Sequence, residues 1–311
     1  MPIIIHDVGL RDGLQIEKTV VPTDKKIRWA EWLVESGVDL IQLGSFVHKD
    51  KVPQMADTDA LFAHFAKATH CRGEDPAAQS PPVFTGLVLN EKGLERGLAC
   101  GVRFFCMGVS ASDTHSRKNT GMSTAEATER IIAMARAAVA AGASVQVSVQ
   151  SAFGCGFEGA VPEQRVLSIA RRFVDAGFLT LSLADTAGHA IPDQVERLFG
   201  AVLGLAPGLQ CACHLHDTYG LGLANAYAAL RAGVTCFEAA FAGLGGCPFT
   251  AVTGGNVCTE DLVHMLQRGG RRLDVKLDRL LALARDAAAF FGRDMAGRIW
   301  KTGPVPTEAH A

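Results

Sequence analysis

Short apolar runs alternate with longer amphipathic stretches from one end of the chain to the other. The runs are IIIHDV (3–8), VDLIQLG (38–44), VFTGLVLN (83–90), VRFFCMG (102–108), SVQVSVQ (144–150), LTLSLAD (179–185), LQCACHLH (209–216) and CFEAAFAG (236–243). Most are rich in β-branched or aromatic residues and end near Gly, Asn, Asp or Ser, so each predicts a strand. The stretches between them carry helix start and stop signals. Pro22-Thr23-Asp24 opens one that Gly37 closes, and Ser123-Thr124 opens another that Gly142 closes. VPEQRVLSIARRFVDAG (161–177) and IPDQVERLFGAVLG (191–204) follow the same grammar.

Strands alternating with helices mean a parallel sheet. Eight such units in about 250 residues predict a closed (β/α)8 TIM barrel. Leu262 to Gly292 supply its last helix and an appended one. The expected organisation is one catalytic barrel over 1–311, with 274–311 as a short C-terminal helical extension and tail. A doubly wound open sheet is the alternative. It is disfavoured because no strand is followed by G-x-G-x-x-G, and GLGGCP has the wrong spacing and flanks for dinucleotide binding. The polar, Pro-rich segment from Cys71 to Pro82 predicts a surface loop before the third strand rather than an interdomain linker.

Composition narrows the class of partner. Thirty Lys plus Arg against 32 Asp plus Glu give a net charge of -2, which disfavours nucleic acid or an anionic membrane surface as the main partner. The pairs Arg171-Arg172 and Arg271-Arg272 are read as solvated helix faces. No run approaches the roughly 18 apolar residues of a membrane span. The nine cysteines are odd in number and irregularly spaced, and no secretory core region precedes them, so a cytoplasmic, reducing compartment with free thiols is expected.

In a barrel of this kind the chemistry sits at the carboxyl ends of the strands. Alternation in the seventh strand puts Ala212, His214 and His216 on one face and Cys211, Cys213 and Leu215 on the other. That parity argues against a Cys2His2 zinc knot and lets both histidines meet one ion. The competing reading is two core histidines with hydrogen-bond partners. Two imidazoles buried side by side with nothing to bind are costly, which favours ligands. The first strand ends in GLRDGLQ, where Arg11 and Asp12 offer a fixed positive charge and a carboxylate; a surface ion pair is the alternative. The eighth ends in FAGLGGCPF, whose glycines let backbone approach a ligand around Cys247. Asn256 follows in TGGN.

The stretches VGLRDGLQIEK, SFVHKDKVPQMAD, HLHDTYGLGLAN, AGLGGCPF and GGNVCTEDLVHML, from Val8 to Leu266, resemble the 3-hydroxy-3-methylglutaryl-CoA lyases, metal-dependent barrel enzymes that make or break C–C bonds. The resemblance implies a divalent cation held by Asp12, His214, His216 and Asn256. A donor set without sulfur suits Mg2+ or Mn2+, with Zn2+ also possible. The implied reaction is retro-Claisen cleavage of a 3-hydroxyacyl-CoA to a ketone product and acetyl-CoA. Arg11 would stabilise the enolate oxygen, and Cys247 would protonate the enolate carbon from a closing loop. His214 is the candidate base, and Asp185 a proton-handling group or a turn aspartate. Gln42 and Gln15 are further catalytic and substrate-binding candidates respectively. Cys155 is read as lining the site, and Glu260 and Asp261 as a helix start that supports it. Lys18 and Lys49 could meet CoA phosphates, but are read as solvated. A homodimer or higher homo-oligomer is implied.

The chain departs from the family pattern at three places. Gln42 and Asp7 stand where glutamate is usual, and Leu10 where proline is usual. Gln42 keeps the shape but loses the charge facing Arg11. The expected substrate is 3-hydroxy-3-methylglutaryl-CoA. Citramalyl-CoA, a longer 3-hydroxy-3-alkylglutaryl-CoA and a synthase running the condensation are alternatives. A metal-binding barrel without catalysis is the reading from another class.

Overall fold

The computed structural model describes residues 2–69, 81–246 and 255–306. Eight parallel strands close into a barrel in sequence order, with the first strand paired to the eighth. They are β1 (Ile4–Asp7), β2 (Leu40–Ser45), β3 (Val83–Leu87), β4 (Phe104–Ser110), β5 (Ser144–Gln150), β6 (Thr180–Ala184), β7 (Gln210–His214) and β8 (Cys236–Ala239). The outer ring is α1 (Thr23–Ser36), α2 (Thr58–Thr69), α3 (Glu91–Ala99), α4 (Asp113–Thr120), α5 (Thr124–Ala140), α6 (Glu163–Asp175), α7 (Pro192–Leu203), α8 (Gly222–Arg231), α9 (Thr259–Arg268), α10 (Leu277–Phe291) and the short α11 (Ile299–Thr302). This is the (β/α)8 barrel that the alternation predicts. Most of the segment from Cys71 to Pro82 lies outside the described residues. Among the described residues no helix is long and apolar enough to cross a membrane, and the cysteines are free thiols.

The helix punctuation works as read. Gly37 takes the left-handed conformation (φ 85°) that closes α1. Ser123 and Glu126 form a reciprocal capping box at the start of α5. One helix escapes the pattern: α4, DTHSRKNT, has no apolar stripe, and is fastened instead by Ser112, whose side chain accepts the His115 N–H at 3.1 Å. The third run is shorter as a strand than expected, because Asn90 caps α3 by accepting the Gly93 N–H. The eighth run also stops early. Beyond Ala239 the chain turns through Phe241–Gly243, with Ala242 left-handed at φ 58°.

The Arg271-Arg272 reading needs correction. Arg272 is not on a helix face; its guanidinium is pulled under the barrel, where it donates to Asp39 Oδ2 (2.5 Å), the Ile3 carbonyl (3.0 Å) and the Gly37 carbonyl (3.1 Å). It thereby clamps the entries of β1 and β2 to the segment joining α9 and α10.

The apolar core lies between the strands and the helical ring. Trp29 of α1 is fully buried, stands edge-on to Phe241 and Phe290 with centroids 5.4 and 5.7 Å away, and donates its indole N–H to Asp286 Oδ2 at 2.6 Å. It thus ties α1 and α10 to the turn leaving β8. Trp29→Ala should cost about 3–5 kcal/mol of stability, as large-to-small core changes do. Urea unfolding measures this, and a loss under 1 kcal/mol would show that Trp29 does not anchor this seam.

Candidate active site

The carboxyl end of β1 runs into a π-helical turn, Gly9–Gly13, in which the N–H groups of Arg11, Asp12 and Gly13 all converge on the Val8 carbonyl (3.1, 2.8 and 3.3 Å). Such widened turns are rare and concentrate at functional sites. Here the turn presents two charged side chains from consecutive positions, Arg11 and Asp12, at the barrel mouth. Its glycines let it lie against the turn leaving β8: a Cβ on Gly13 would sit 2.8 Å from that of Leu244. Gly245 is left-handed (φ +100°), and a Cβ there would come within 2.6 Å of the Asn256 side-chain nitrogen.

Asp12, His214 and His216 come together. One ligand atom from each lies within 4.8 Å of the others. The two histidine Nε2 atoms are 3.2 Å apart, and Asp12 Oδ2 is 3.7 Å from the first and 4.0 Å from the second. Asn256 joins them: its segment bridges to His216, and its Nδ2 donates to Asp12 Oδ2 at 2.8 Å and to the Leu244 carbonyl at 3.0 Å. Asn256 Oδ1 and His216 Nδ1 are buried without a partner among the described residues. Three nitrogen and oxygen lone-pair donors facing one point, with an unpartnered amide oxygen beside them, fit a hard or borderline divalent cation.

Arg11 binds in two directions, with Nε donating to Gln42 Oε1 and Nη1 to Asp12 Oδ1. Gln42 is buried at a register shift between β2 and β3. Burial pushes the Asp12 carboxyl up, but Arg11, His214 and His216 outweigh it and hold the group well below the usual carboxylate range. Burial pulls His214 down, yet its hydrogen bond to Glu238 and the charge of Asp12 leave it above its ordinary value. For His216 burial wins, helped by the neighbouring imidazole, and lowers it to about 4.

The other sequence-derived candidates fall in distinct places. Asp185 is fully buried just beyond β6, and each carboxyl oxygen accepts a loop N–H, from His189 (2.8 Å) and Ala190 (3.0 Å). Its contacts are those of a turn aspartate, and burial raises it to about 6. Gln15 and Lys18 are exposed, and Lys49 pairs with Asp59 at 3.3 Å. Cys155 contacts Ser112 Oγ at 3.0 Å, on the β4–β5 side of the mouth. Cys247 lies outside the described residues. Leu10 is buried within the π turn. Asp7 accepts hydrogen bonds from the Gly9 and Phe241 N–H groups and from Thr259 Oγ1 (2.9, 3.0 and 2.6 Å). It braces the two turns from below.

Glu260 and Asp261 do begin a helix, α9. Asp261 accepts the Arg298 and Ile299 N–H groups, fastening α11. Glu260 is fully buried and accepts the Ala242 N–H at 3.1 Å, and burial raises its carboxyl to about 8. The unfolded chain ionises this group near pH 4.5, whereas the folded protein keeps it protonated to about 8, so it destabilises the fold increasingly as pH rises across that interval. Glu260→Gln should therefore gain stability relative to the parent between pH 5 and pH 8. Thermal melts at both pH values check this, and a pH-independent difference would refute it.

The sequence reading missed a group beneath the cluster. Glu238 Oε2 lies 3.0 Å from His214 Nδ1, and its Oε1 accepts from Gln146 Nε2 at 2.5 Å. His6 lies 4.0 Å from the same Oε1 and meets Thr85 Oγ1 at 2.9 Å through its other nitrogen. A single acidic residue inside the apolar run CFEAAFAG was the available signal.

The HMGL-like family profile matches residues 2–286. The chain is 36% identical over 296 residues to a hydroxymethylglutaryl-CoA lyase of Bacillus subtilis, covering 95% of each. It is 38% identical over 306 residues to the (R)-citramalyl-CoA lyase of Chloroflexus aurantiacus, covering 97% of this chain and 95% of that one. Among solved structures, an HMG-CoA lyase from Acinetobacter baumannii in complex with coenzyme A and 3-methylmalate superposes with a TM-score of 0.88 at 35% identity, covering 100% of this chain and 97% of the other. A match over nearly the whole barrel, to relatives that are themselves C–C lyases, places the chain in the HMGL-like family as a carbon–carbon lyase.

Proposed function

We propose that the protein cleaves 3-hydroxy-3-methylglutaryl-CoA to acetyl-CoA and acetoacetate, using Mg2+ or Mn2+ held by Asp12, His214, His216 and Asn256. The observation that carries this reading is the convergence of those four residues beside the Arg11 guanidinium. A bound divalent cation would polarise the substrate's tertiary hydroxyl and lower its pKa. Arg11 spends one N–H on Gln42 and one on Asp12, leaving three of its five for the thioester oxygen on which enolate charge develops. Cys247 is assigned the proton delivered to the enolate carbon. His214 has Nε2 among the ligand atoms and Nδ1 on Glu238, so as a ligand it has no nitrogen free for the hydroxyl proton. That proton is assigned to Asp185, which stands beside His214 at the end of β6, its N–H on the His214 carbonyl at 2.8 Å, and whose carboxyl burial raises to about 6. Gln15 is assigned to substrate contact at the rim. The protein is read as one catalytic unit with 274–311 as its extension, acting as a cytoplasmic homodimer or higher homo-oligomer.

A second reading, cleavage of citramalyl-CoA to acetyl-CoA and pyruvate, is favoured by Gln42 and by the similarity to a citramalyl-CoA lyase. The two substrates differ by one methylene, worth about 1–3 kcal/mol in a pocket. Acetyl-CoA release from both thioesters, measured side by side with Mn2+, decides between them. Gln42→Glu restores a charge-assisted bond to Arg11, roughly twice as strong as a neutral one. It should change the ratio of the two kcat/KM values about tenfold or more. An unchanged ratio would remove Gln42 as a determinant.

A further inference from the structure

We propose that Glu238 is the positioning residue of the cation site, fixing the tautomer and orientation of His214. The proposal rests on the assignment of Asp12, His214, His216 and Asn256 as ligands. Glu238 and His214 are directly opposite each other in the β7–β8 register, and both are buried. An ionised carboxylate only accepts hydrogen bonds, so the 3.0 Å contact to Nδ1 places the proton on that nitrogen. The Nε2 lone pair then faces His216 and Asp12. The carboxylate is itself held. Gln146 reaches across the barrel from β5 and occupies Oε1, leaving Oε2 for His214. His6 of β1 flanks the same oxygen, and its other nitrogen meets Thr85 of β3. Side chains from β1, β5 and β7 thus surround one carboxylate beneath the proposed ligands.

The arrangement is one-sided. Among the described residues His216 Nδ1 is buried without a partner, and of the two imidazoles His214 alone receives this support there. A carboxylate that accepts the distal N–H of a liganding histidine raises that ligand's basicity and spares the cation the cost of orienting the ring. Nothing in this role requires Glu238 to touch substrate.

The test uses the intact chain, freed of metal and titrated with Mn2+, with free Mn2+ read by electron paramagnetic resonance. Glu238→Gln keeps the shape and an acceptor but loses the charge; Glu238→Ala loses both. The Mn2+ Kd should rise about tenfold in the first and towards 100-fold in the second, the range such supporting groups command. Nitrogen-15 spectra of the metal-free protein, taken at alkaline pH where the His214 ring is neutral, should show the proton on Nδ1 in the parent and redistributed in Glu238→Ala. A metal-free melting temperature close to the parent's in Glu238→Gln shows that the loss is not unfolding. A Kd within twofold of the parent in both variants, with an unchanged nitrogen-15 pattern, overturns the proposal. His214→Ala separates the two assignments. If it loses Mn2+ while the Glu238 variants do not, only the role of Glu238 fails. If it binds Mn2+ like the parent, the ligand assignment fails with it.

Discussion

Arg11→Met is expected to lower kcat for acetyl-CoA release by about 10²–10³-fold, roughly 2.7–4 kcal/mol of barrier, while leaving Mn2+ binding intact or slightly tighter. The reasoning starts from where the guanidinium is fixed. The side chain is only 11% exposed and is held on one edge by Gln42 and on another by Asp12. A charge fixed in this way costs little reorganisation when the enolate oxygen appears, which is why its loss falls on turnover rather than on substrate affinity. Methionine approximates the length without the charge. Its absence also removes a positive neighbour from Asp12, which would otherwise repel an incoming cation. Arg11→Lys should recover little, because one ammonium on a flexible stem cannot serve Gln42, Asp12 and the substrate at fixed angles. Single-turnover rates at saturating Mn2+ are the measurement. A kcat within threefold of the parent would remove Arg11 from enolate stabilisation, and a loss of activity that excess Mn2+ fully repairs would show that Arg11 acts only by holding Asp12.

The parts of this site that could be read from sequence are those carried by one strand or one turn. Alternation in LQCACHLH placed His214 and His216 on a common face, and the structure has their Nε2 atoms 3.2 Å apart. The barrel itself was legible because strands buried on both faces are continuous apolar runs with sharp polar ends. What escaped depends on register between strands. No local pattern shows that Glu238 faces His214, or that Gln146 spans the barrel to reach it. Asp7 shows the same limit. It departs from the family pattern close to Arg11 in sequence, yet its carboxyl reaches Phe241 and Thr259, more than 230 positions away. The helix α4 escaped for a different reason: its residues are polar throughout, and an N-cap rather than an apolar stripe sets it.

Asp12→Asn is expected to weaken Mn2+ binding by about 10²-fold or more, at or beyond the upper end of what loss of an outer supporting partner costs. Two features of Asp12 make it the most exposed point of the proposed site. It is the only anion among the four assigned ligands, and hard cations depend on carboxylate oxygen more than on imidazole or amide. It also accepts from two donors at once, Arg11 Nη1 on Oδ1 and Asn256 Nδ2 on Oδ2. An amide in its place has a single acceptor oxygen, so its NH2 must face one of those donors. If it faces Asn256, that side chain is displaced from the Leu244 carbonyl and from the ligand cluster together. If it faces Arg11, the guanidinium loses its ionic partner and swings from the enolate position. Excess Mn2+ refills the weakened ion site, but it does not restore the ionic partner that Arg11 has lost. Activity titrated with Mn2+ from micromolar to tens of millimolar should therefore show a right-shifted curve with a lowered plateau. A curve superimposable on the parent's would remove Asp12 from the cation site, whereas a right shift with a full plateau would confine its role to holding the ion.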